Sequence, residues 1–125
     1  ANSIQGSRPM IIRKLAFASI LIAAGIVAAP AQAKIARCVI DSEGTSYRGP
    51  CQYNVARGGT FTLTPVRERT FAGGALSITV YMVRPGVADV RGLTDAGVNS
   101  RWGRAVRSRR DRACWAGEDF TICAY

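Results

Sequence analysis

The side chains that most often carry catalysis are scarce in this chain of 125 residues, which contains no histidine. The commonest general base and the commonest neutral metal ligand are therefore both missing. The only adjacent carboxylates, Glu118 and Asp119, fall where we predict a solvated hairpin turn, so a glycosidase-like acid pair is not expected. No calcium-binding loop, P-loop or nucleophile elbow occurs. We expect a protein that binds without catalysis and that uses no cofactor or metal.

The cysteines predict a disulfide framework. The chain has four of them: Cys38, Cys51, Cys114 and Cys123. An even number in a small exported chain is typical of disulfides rather than of a metal site. A hairpin centred on Glu118-Asp119 places Cys114 opposite Cys123 within disulfide reach, and a turn centred on Gly44-Thr45 places Cys38 opposite Cys51. We predict the bonds Cys38–Cys51 and Cys114–Cys123, each contributing roughly 2–3 kcal/mol.

Positive charge is concentrated in one segment of the chain. The sequence has 17 basic and 8 acidic residues, for a formal net charge of +9. Six arginines lie between positions 101 and 112, namely Arg101, Arg104, Arg107, Arg109, Arg110 and Arg112. Arginine has a planar fork that fits phosphate and carboxylate groups, and a focal positive field attracts anions. The segment is a candidate anion-binding site, and the alternative is a solvated basic loop without a ligand.

The arrangement of this segment depends on the strand that carries it. If residues 100–107 form a regular strand, Trp102 and Arg104 share one face, and Arg101 and Arg107 share the other. That would divide the arginines, although 107–112 would still form a compact basic turn. Trp102 and Trp115 flank the segment. A tryptophan near a disulfide is most often a core residue, and the alternative is an exposed surface for stacking on a ligand or partner.

The amino-terminal part has the pattern of an export signal. Arg13 and Lys14 precede an uncharged stretch at 15–29, and Ala31-Gln32-Ala33 supplies the small residues of a cleavage site. As a helix, that stretch is too short for the hydrocarbon core of a bilayer. We predict an upstream extension at 1–9 (a misplaced start or a cloning remnant), a helical secretory signal peptide at 10–33 and a disulfide-stabilised β domain at 34–125. The mature protein is expected in the periplasm or outside the cell, with no stable membrane span.

Alternating apolar and polar residues and frequent turn signals indicate an all-β domain. Residues 76–83 alternate as a half-buried strand requires, and Arg84-Pro85-Gly86-Val87 fits a tight turn. We predict strands near 36–41, 50–55, 60–66, 75–83, 87–93, 100–107, 113–117 and 120–124. Seven or eight short strands at this spacing favour a small antiparallel barrel or sandwich.

The carboxyl-terminal part carries a resemblance. Asn99-Ser100-Arg101-Trp102-Gly103 and the run from Ala113 to Cys123 resemble the ending of small exported proteobacterial proteins, mostly uncharacterised. A serine–x–aromatic turn followed by a Trp-x-Gly strand is also similar to the periplasmic inhibitors of c-type lysozyme, which implies a small antiparallel barrel. The resemblance implies that Ser100 is the inserted serine and Trp102 its aromatic neighbour. The chain departs from that family in having Trp where Tyr is typical, and in being basic like its would-be target.

Two functions follow as hypotheses. The first is a non-catalytic protein that binds an anionic cell-envelope component, such as lipopolysaccharide phosphates or another acidic polymer, through Arg101–Arg112. The second is a protein inhibitor of a lysozyme-type hydrolase that acts through the turn at Ser100 and Trp102. An export signal makes nucleic acid an unexpected physiological partner. The sequence indicates no oligomeric state.

Overall fold

The computed structural model describes residues Ala33–Tyr125, which form eight strands joined in chain order. The strands are β1 (Ala33–Ser42), β2 (Thr45–Val55), β3 (Phe61–Pro65), β4 (Ala75–Arg84), β5 (Val87–Thr94), β6 (Asn99–Arg107), β7 (Cys114–Ala116) and β8 (Phe120–Ala124). Two short 3-10 turns, Arg57–Gly59 and Ala72–Gly74, lie in the connections. The all-β prediction is confirmed, and every predicted strand overlaps an observed one.

The sheet closes on itself. Each strand pairs antiparallel with its neighbours in sequence, and β1 also pairs with β8, so the eight strands form a barrel rather than a sandwich. Closure removes the unpaired strand edges that would otherwise invite association. The interior of an eight-stranded barrel is just wide enough to be filled by side chains or to hold one small ligand.

Side chains that alternate along each strand fill the barrel. On β1, Ala36, Cys38 and Ile40 are buried, whereas Arg37 between them is exposed. Full burial of an aliphatic side chain contributes roughly 1.5–3 kcal/mol, so this central layer supplies much of the folding free energy. The largest aliphatic side chains that are fully buried are Ile40, Leu63, Ile78, Val80, Val90 and Ile122.

Both predicted disulfides are present, but the predicted register of the first one is wrong. Cys114 and Cys123 face each other as expected, with their Cα atoms 4.0 Å apart. The β1–β2 turn is centred on Glu43-Gly44, so Cys38 lies opposite Gly49 instead of Cys51. Glu43 and Gly44 have φ of 48° and 86°, the left-handed values that a two-residue hairpin turn requires. Cys38 and Cys51 therefore bond diagonally across the ladder, with a Cα separation of 5.8 Å.

The two disulfides lie on opposite sides of the barrel wall. Cys38 and Cys51 are both 0% exposed and belong to the interior core. Cys114 and Cys123 point to the outer side, because Trp115 beside them faces the interior. The hydroxyl of Tyr125 lies 3.6 Å from Cys114 Sγ and covers this outer bond.

A bulge in β6 changes which arginines share a face of the strand, so the predicted division between the two faces is wrong. The pairing of β5 with β6 shifts by one residue at Trp102, which has no partner on β5. Gly103 follows with φ of 118°, a backbone conformation that glycine adopts without a steric penalty. Trp102 consequently packs against the core, and Arg101 and Arg104 both lie exposed on the outer wall. The prediction that Trp102 and Arg104 share a face is wrong, because it assumed a regular strand without the bulge.

The two ends of the barrel differ. The plugged end carries the connections at 43–44, 66–74, 95–98 and 117–119, and two aromatic pairs fill its mouth. Tyr47 packs edge-on against Phe71 with ring centres 4.8 Å apart, and Trp102 against Phe120 at 5.5 Å. The open end carries the connections at 56–60, 85–86 and 108–113. Its mouth contains a cavity that a ligand can enter along the barrel axis.

The predicted upstream extension and the signal peptide up to Gln32 lie outside the described residues. Within Ala33–Tyr125, no helix has the length and apolar character needed to cross a membrane.

Candidate anion-binding site

The open end of the barrel contains a cavity of about 850 Å³. Inward-facing residues of the strands form its wall, and the β4–β5 turn and the β6–β7 loop form its rim. The largest apolar side chains of the wall are Tyr53, Phe61, Met82 and Trp115. Small-molecule sites typically enclose about 300–1,000 Å³ and occur in the mouths of β-barrels, so this cavity has the size and place of a binding site.

Four arginines line the cavity. Arg84 comes from the end of β4, Arg107 from the end of β6, and Arg109 and Arg112 from the loop between β6 and β7. None of the described residues that line the cavity is acidic. Several cations without a counter-charge in a concave site raise the local concentration of anions and accelerate their association.

Arg107 is held in place from two sides. Its Nε donates a hydrogen bond of 2.7 Å to the carbonyl oxygen of Arg112, which ties the end of β6 to the following loop. Its guanidinium carbon lies 5.6 Å from the centre of the Trp115 ring, in cation–π range. Since a guanidinium has five N–H donors, this arrangement leaves others free to receive an anion.

The loop that presents the other arginines is braced internally. The hydroxyl of Ser108 accepts hydrogen bonds from the backbone N–H groups of Arg110 and Asp111, both at 3.2 Å. The carboxylate of Asp111 accepts the backbone N–H of Ala113 at 3.1 Å. The next residue, Cys114, carries the outer disulfide. A loop fixed in this way loses less conformational entropy when its arginines bind a ligand.

The one acid of the basic segment has its own partner. The hydroxyl of Tyr125 donates a hydrogen bond to the Asp111 carboxylate, and this bond raises the pKa of Tyr125 above its ordinary value. Asp111 also bonds the loop backbone and does not line the cavity. Its negative charge therefore braces the loop from outside the cavity and leaves the rim positive.

The charges of the barrel divide between its ends. The basic side chains at the open end are Lys34, Arg57, Arg84, Arg107, Arg109, Arg110 and Arg112, and Asp111 is the acid among them. Six of the 8 acids lie at the plugged end: Asp41, Glu43, Glu68, Asp95, Glu118 and Asp119. Arg67 and Arg69 in the 66–74 connection, together with Arg48, Arg91 and Arg101 on the strands near that end, offset most of that negative charge. The open end is therefore the more positive of the two ends, and it attracts anions.

A second recess of about 410 Å³ lies at the plugged end, between the β1–β2 and β7–β8 turns. Asp41, Glu43, Glu118 and Asp119 are among its lining residues. Within Ala33–Tyr125, no group of three or more cysteine or carboxylate side chains has an arrangement that could hold a metal ion. The turn predicted around Glu118-Asp119 is confirmed, and both acids are exposed.

The structure brings together only part of the predicted site. Arg107, Arg109 and Arg112 line the cavity, and Arg110 stands in the same loop outside the lining. Arg101 and Arg104 lie on the outer wall, where Arg104 Nε is 2.8 Å from an Asp89 carboxylate oxygen.

The two tryptophans lie at opposite ends of the barrel, and the residues of the predicted inhibitor turn lie within a strand. Trp115 is 4% exposed and lies beneath the rim, whereas Trp102 plugs the opposite end. Ser100 and Trp102 lie within β6 rather than in a turn, and the Ser100 hydroxyl donates to the Gly92 carbonyl oxygen at 3.1 Å. The prediction of a turn at these residues is wrong because β6 begins at Asn99.

Arg84 and the apolar wall were missed by sequence reasoning. Arg84 is 23 residues from Arg107 in sequence, and the two meet only because the β4–β5 turn and the β6–β7 loop share one end of the barrel. The order of the strands could have revealed that Arg84 and Arg107 lie at the same end of the barrel. In an up-and-down barrel, alternate connections lie at the same end, so the predicted turn at 84–87 belongs beside the loop at 108–113.

Comparison with known proteins finds no matching family model, curated protein or solved structure. Geometry and charge therefore carry the functional interpretation.

Proposed function

We propose that this chain is an exported, non-catalytic binding protein that receives an anionic component of the cell envelope at the open end of its barrel. The observation that carries the proposal is the cavity itself: Arg84, Arg107, Arg109 and Arg112 line it, and no described lining residue is acidic. This narrows the sequence hypothesis from Arg101–Arg112 to its second half and adds Arg84.

The chemistry of arginine favours phosphate or carboxylate groups as the ligand. The guanidinium fork pairs with two oxygens at once, which adds geometric specificity to the attraction between opposite charges. A polymer that carries several such groups engages several arginines together. Inside the part of the chain that the structure describes, the two disulfides are compatible with an oxidising compartment. Together with the predicted signal peptide, they support a ligand of the envelope rather than intracellular nucleic acid.

The composition of the cavity supports binding without chemical transformation. The described residues that line it include no carboxylate, serine, threonine or cysteine. A general acid–base reaction needs an acid–base group within hydrogen-bond reach of the reacting atom. The arginines stay protonated at any physiological pH, which leaves the phenol of Tyr53 as the one such group among the described lining residues. The arrangement is therefore suited to holding an anion.

The test compares two triple variants with the same change in net charge. Arg107, Arg109 and Arg112 are changed to Gln in one variant, and Arg67, Arg69 and Arg101 at the opposite end or outer wall in the other. Binding of inorganic polyphosphate is measured by calorimetry from 50 to 300 mM salt. Each phosphate contact contributes roughly 0.7 to the slope of log K against log salt for a single-stranded polyanion, so the first variant is expected to lose about two units of slope.

The control variant is expected to bind within about twofold of the unaltered protein, because its charges lie far from the cavity. Circular dichroism checks that both variants remain folded. Equal losses in the two variants would show that net charge alone attracts the polymer. Binding that does not depend on salt would remove the proposal.

Inhibition of a lysozyme-type hydrolase remains the alternative, and it rests on the resemblance at Ser100 and Trp102. An assay of c-type lysozyme with micromolar protein tests it, and the absence of inhibition would end it. Because Trp102 packs into the barrel, Ser100 is the residue of this pair that would have to contact the hydrolase. Inhibition should therefore be lost in the variant Ser100→Arg and kept in variants of the open-end arginines.

A further inference from the structure

The wall of the cavity is apolar below its basic rim. Tyr53 and Phe61 stack with ring centres 4.9 Å apart, and Trp115 and Met82 line the same space. Leu63 is the next inward-facing residue of β3 after Phe61. It is 0% exposed and belongs to the core below the cavity. The cavity thus changes from charged at the mouth to apolar inside.

This layering is more specific than an anion site requires. A hydrophilic polyanion would engage the arginines at the rim and gain nothing from aromatic walls. Tyr53, Val55 and Met82 are only partly buried, so a ligand that entered would remove further apolar surface from water. Methionine is flexible and adapts to the shape of an apolar guest.

Arg107 lies at the boundary between the basic rim and the apolar wall, and its contacts fix it there. Its guanidinium stacks against Trp115, a wall residue, while its Nε binds the Arg112 carbonyl in the rim loop. An anionic group that pairs with this arginine stands at the cavity mouth, and the atoms attached to that group extend inward along the rings.

We propose that the anion received here is amphiphilic: a phosphate or similar head group that carries an alkyl chain. This rests on the proposed function, because it assigns the ligand class of the same site. The head group pairs with Arg84, Arg107, Arg109 and Arg112 at the rim. The chain lies against Tyr53, Val55 and Met82, the partly buried residues of the wall. A volume of about 850 Å³ suits a single short chain rather than a bilayer surface.

The experiment measures the affinity of a homologous series below the concentrations at which its members form micelles. Inorganic phosphate, butyl phosphate and octyl phosphate are titrated by calorimetry, with octyl glucoside as an uncharged probe of the same chain length. Each buried methylene strengthens binding by about fourfold, so octyl phosphate is expected to bind at least tenfold more tightly than butyl phosphate. Octyl glucoside is expected to bind at least tenfold more weakly than octyl phosphate.

Variants locate the chain. Met82→Gln keeps a similar side-chain length but makes the wall polar, and it is expected to weaken octyl phosphate at least fivefold while leaving polyphosphate binding unchanged. Leu93→Gln is the matched control, since Leu93 is an exposed apolar residue on the outer wall, and it is expected to change neither affinity. The series on the unaltered protein remains decisive if Met82→Gln does not fold.

The outcomes separate this inference from the proposed function. Equal affinities for butyl and octyl phosphate, with polyphosphate still bound through the rim arginines, overturn the amphiphile and leave the anion site. Equal affinities for octyl phosphate and octyl glucoside show that the rim does not recognise charge and overturn the amphiphilic anion. If neither polyphosphate nor any alkyl phosphate binds, both proposals fall.

Discussion

The two disulfides are expected to serve different purposes, and paired variants separate them. One variant replaces Cys38 and Cys51 with Ala, and the other replaces Cys114 and Cys123. The bonds span 13 and 9 residues, so loop closure in the unfolded chain contributes about 3 kcal/mol in both cases. Chain entropy alone therefore predicts nearly equal losses.

The position of each bond makes the losses unequal, because Cys38 and Cys51 belong to the interior core whereas Cys114 and Cys123, although buried, lie outside it. Removing both sulfurs from the interior leaves a cavity among core residues, at a further cost of about 1–3 kcal/mol by analogy with single-methyl deletions. On the outer side, the covering residue Tyr125 is itself 52% exposed, so the space that the sulfurs leave borders solvent rather than core side chains. The inner pair is therefore expected to cost about 4–6 kcal/mol and the outer pair about 3 kcal/mol. For a small domain the first loss approaches the whole free energy of unfolding.

Ligand binding is expected to show the reverse order. The outer bond begins one residue after the loop that carries Arg109 and Arg112, so its loss frees that loop. Neither cysteine of the inner bond belongs to the loop or to the cavity lining. At temperatures where both variants are folded, the outer variant is expected to bind polyphosphate several-fold more weakly, and the inner variant to bind it normally.

Urea titration followed by circular dichroism gives the free energies, and calorimetry gives the affinities. A larger loss of stability for the outer pair than for the inner pair would refute the assignment of the inner bond to the core. Loss of binding by the folded inner variant, with binding kept by the outer variant, would show that the outer disulfide does not position the basic loop.

Two further perturbations test parts of the fold that frame the site. Gly92→Ala places a Cβ 2.8 Å from Trp102 Nε1, and the resulting overpacking of the plug is expected to cost about 1–3 kcal/mol and to shift the Trp102 fluorescence without changing anion affinity. The pKa of Tyr125 is raised by its bond to Asp111, so the neutral hydroxyl stabilises the folded protein below pH 10.0 and that contribution is lost as the pH rises through the folded-state pKa. Ultraviolet titration is expected to show one tyrosine ionising earlier after Asp111→Asn, and an unchanged titration curve would contradict the assigned hydrogen bond.

Local patterns in the sequence predict much of the fold, because the pattern typical of a strand or a turn is contained in a few consecutive residues. The alternation at 76–83 and the Pro85-Gly86 turn lie where β4 and its hairpin are found. The pairing of Cys114 with Cys123 follows from a short hairpin whose centre is unambiguous. The register of β1 with β2 was misplaced by two residues because Gly44-Thr45 and Glu43-Gly44 are both plausible turn centres from the sequence.

The site depends on contacts that local patterns do not contain. The bulge at Trp102 reverses the facing of every later residue of β6 relative to a regular strand, and a single glycine after a tryptophan is a weak signal for it. The meeting of Arg84 with Arg107 requires the barrel to close. The sequence predicts the basic loop at 107–112 as a compact turn. The apolar wall beneath it comes from β2, β3, β4 and β7, and only the closed sheet brings these strand ends together.

The most direct test of the anion site is a map of where a charged probe touches the barrel. Backbone amide shifts are recorded on isotopically labelled protein during a titration with octyl phosphate. We expect shifts confined to the open end, at 84–87 and 107–113 and in the wall around Met82 and Trp115. The amides of the connections at 43–44, 95–98 and 117–119 are expected to stay unshifted. Shifts centred on the plugged end or on the outer wall at Arg101 and Arg104 would contradict the assignment of the anion site to the open end.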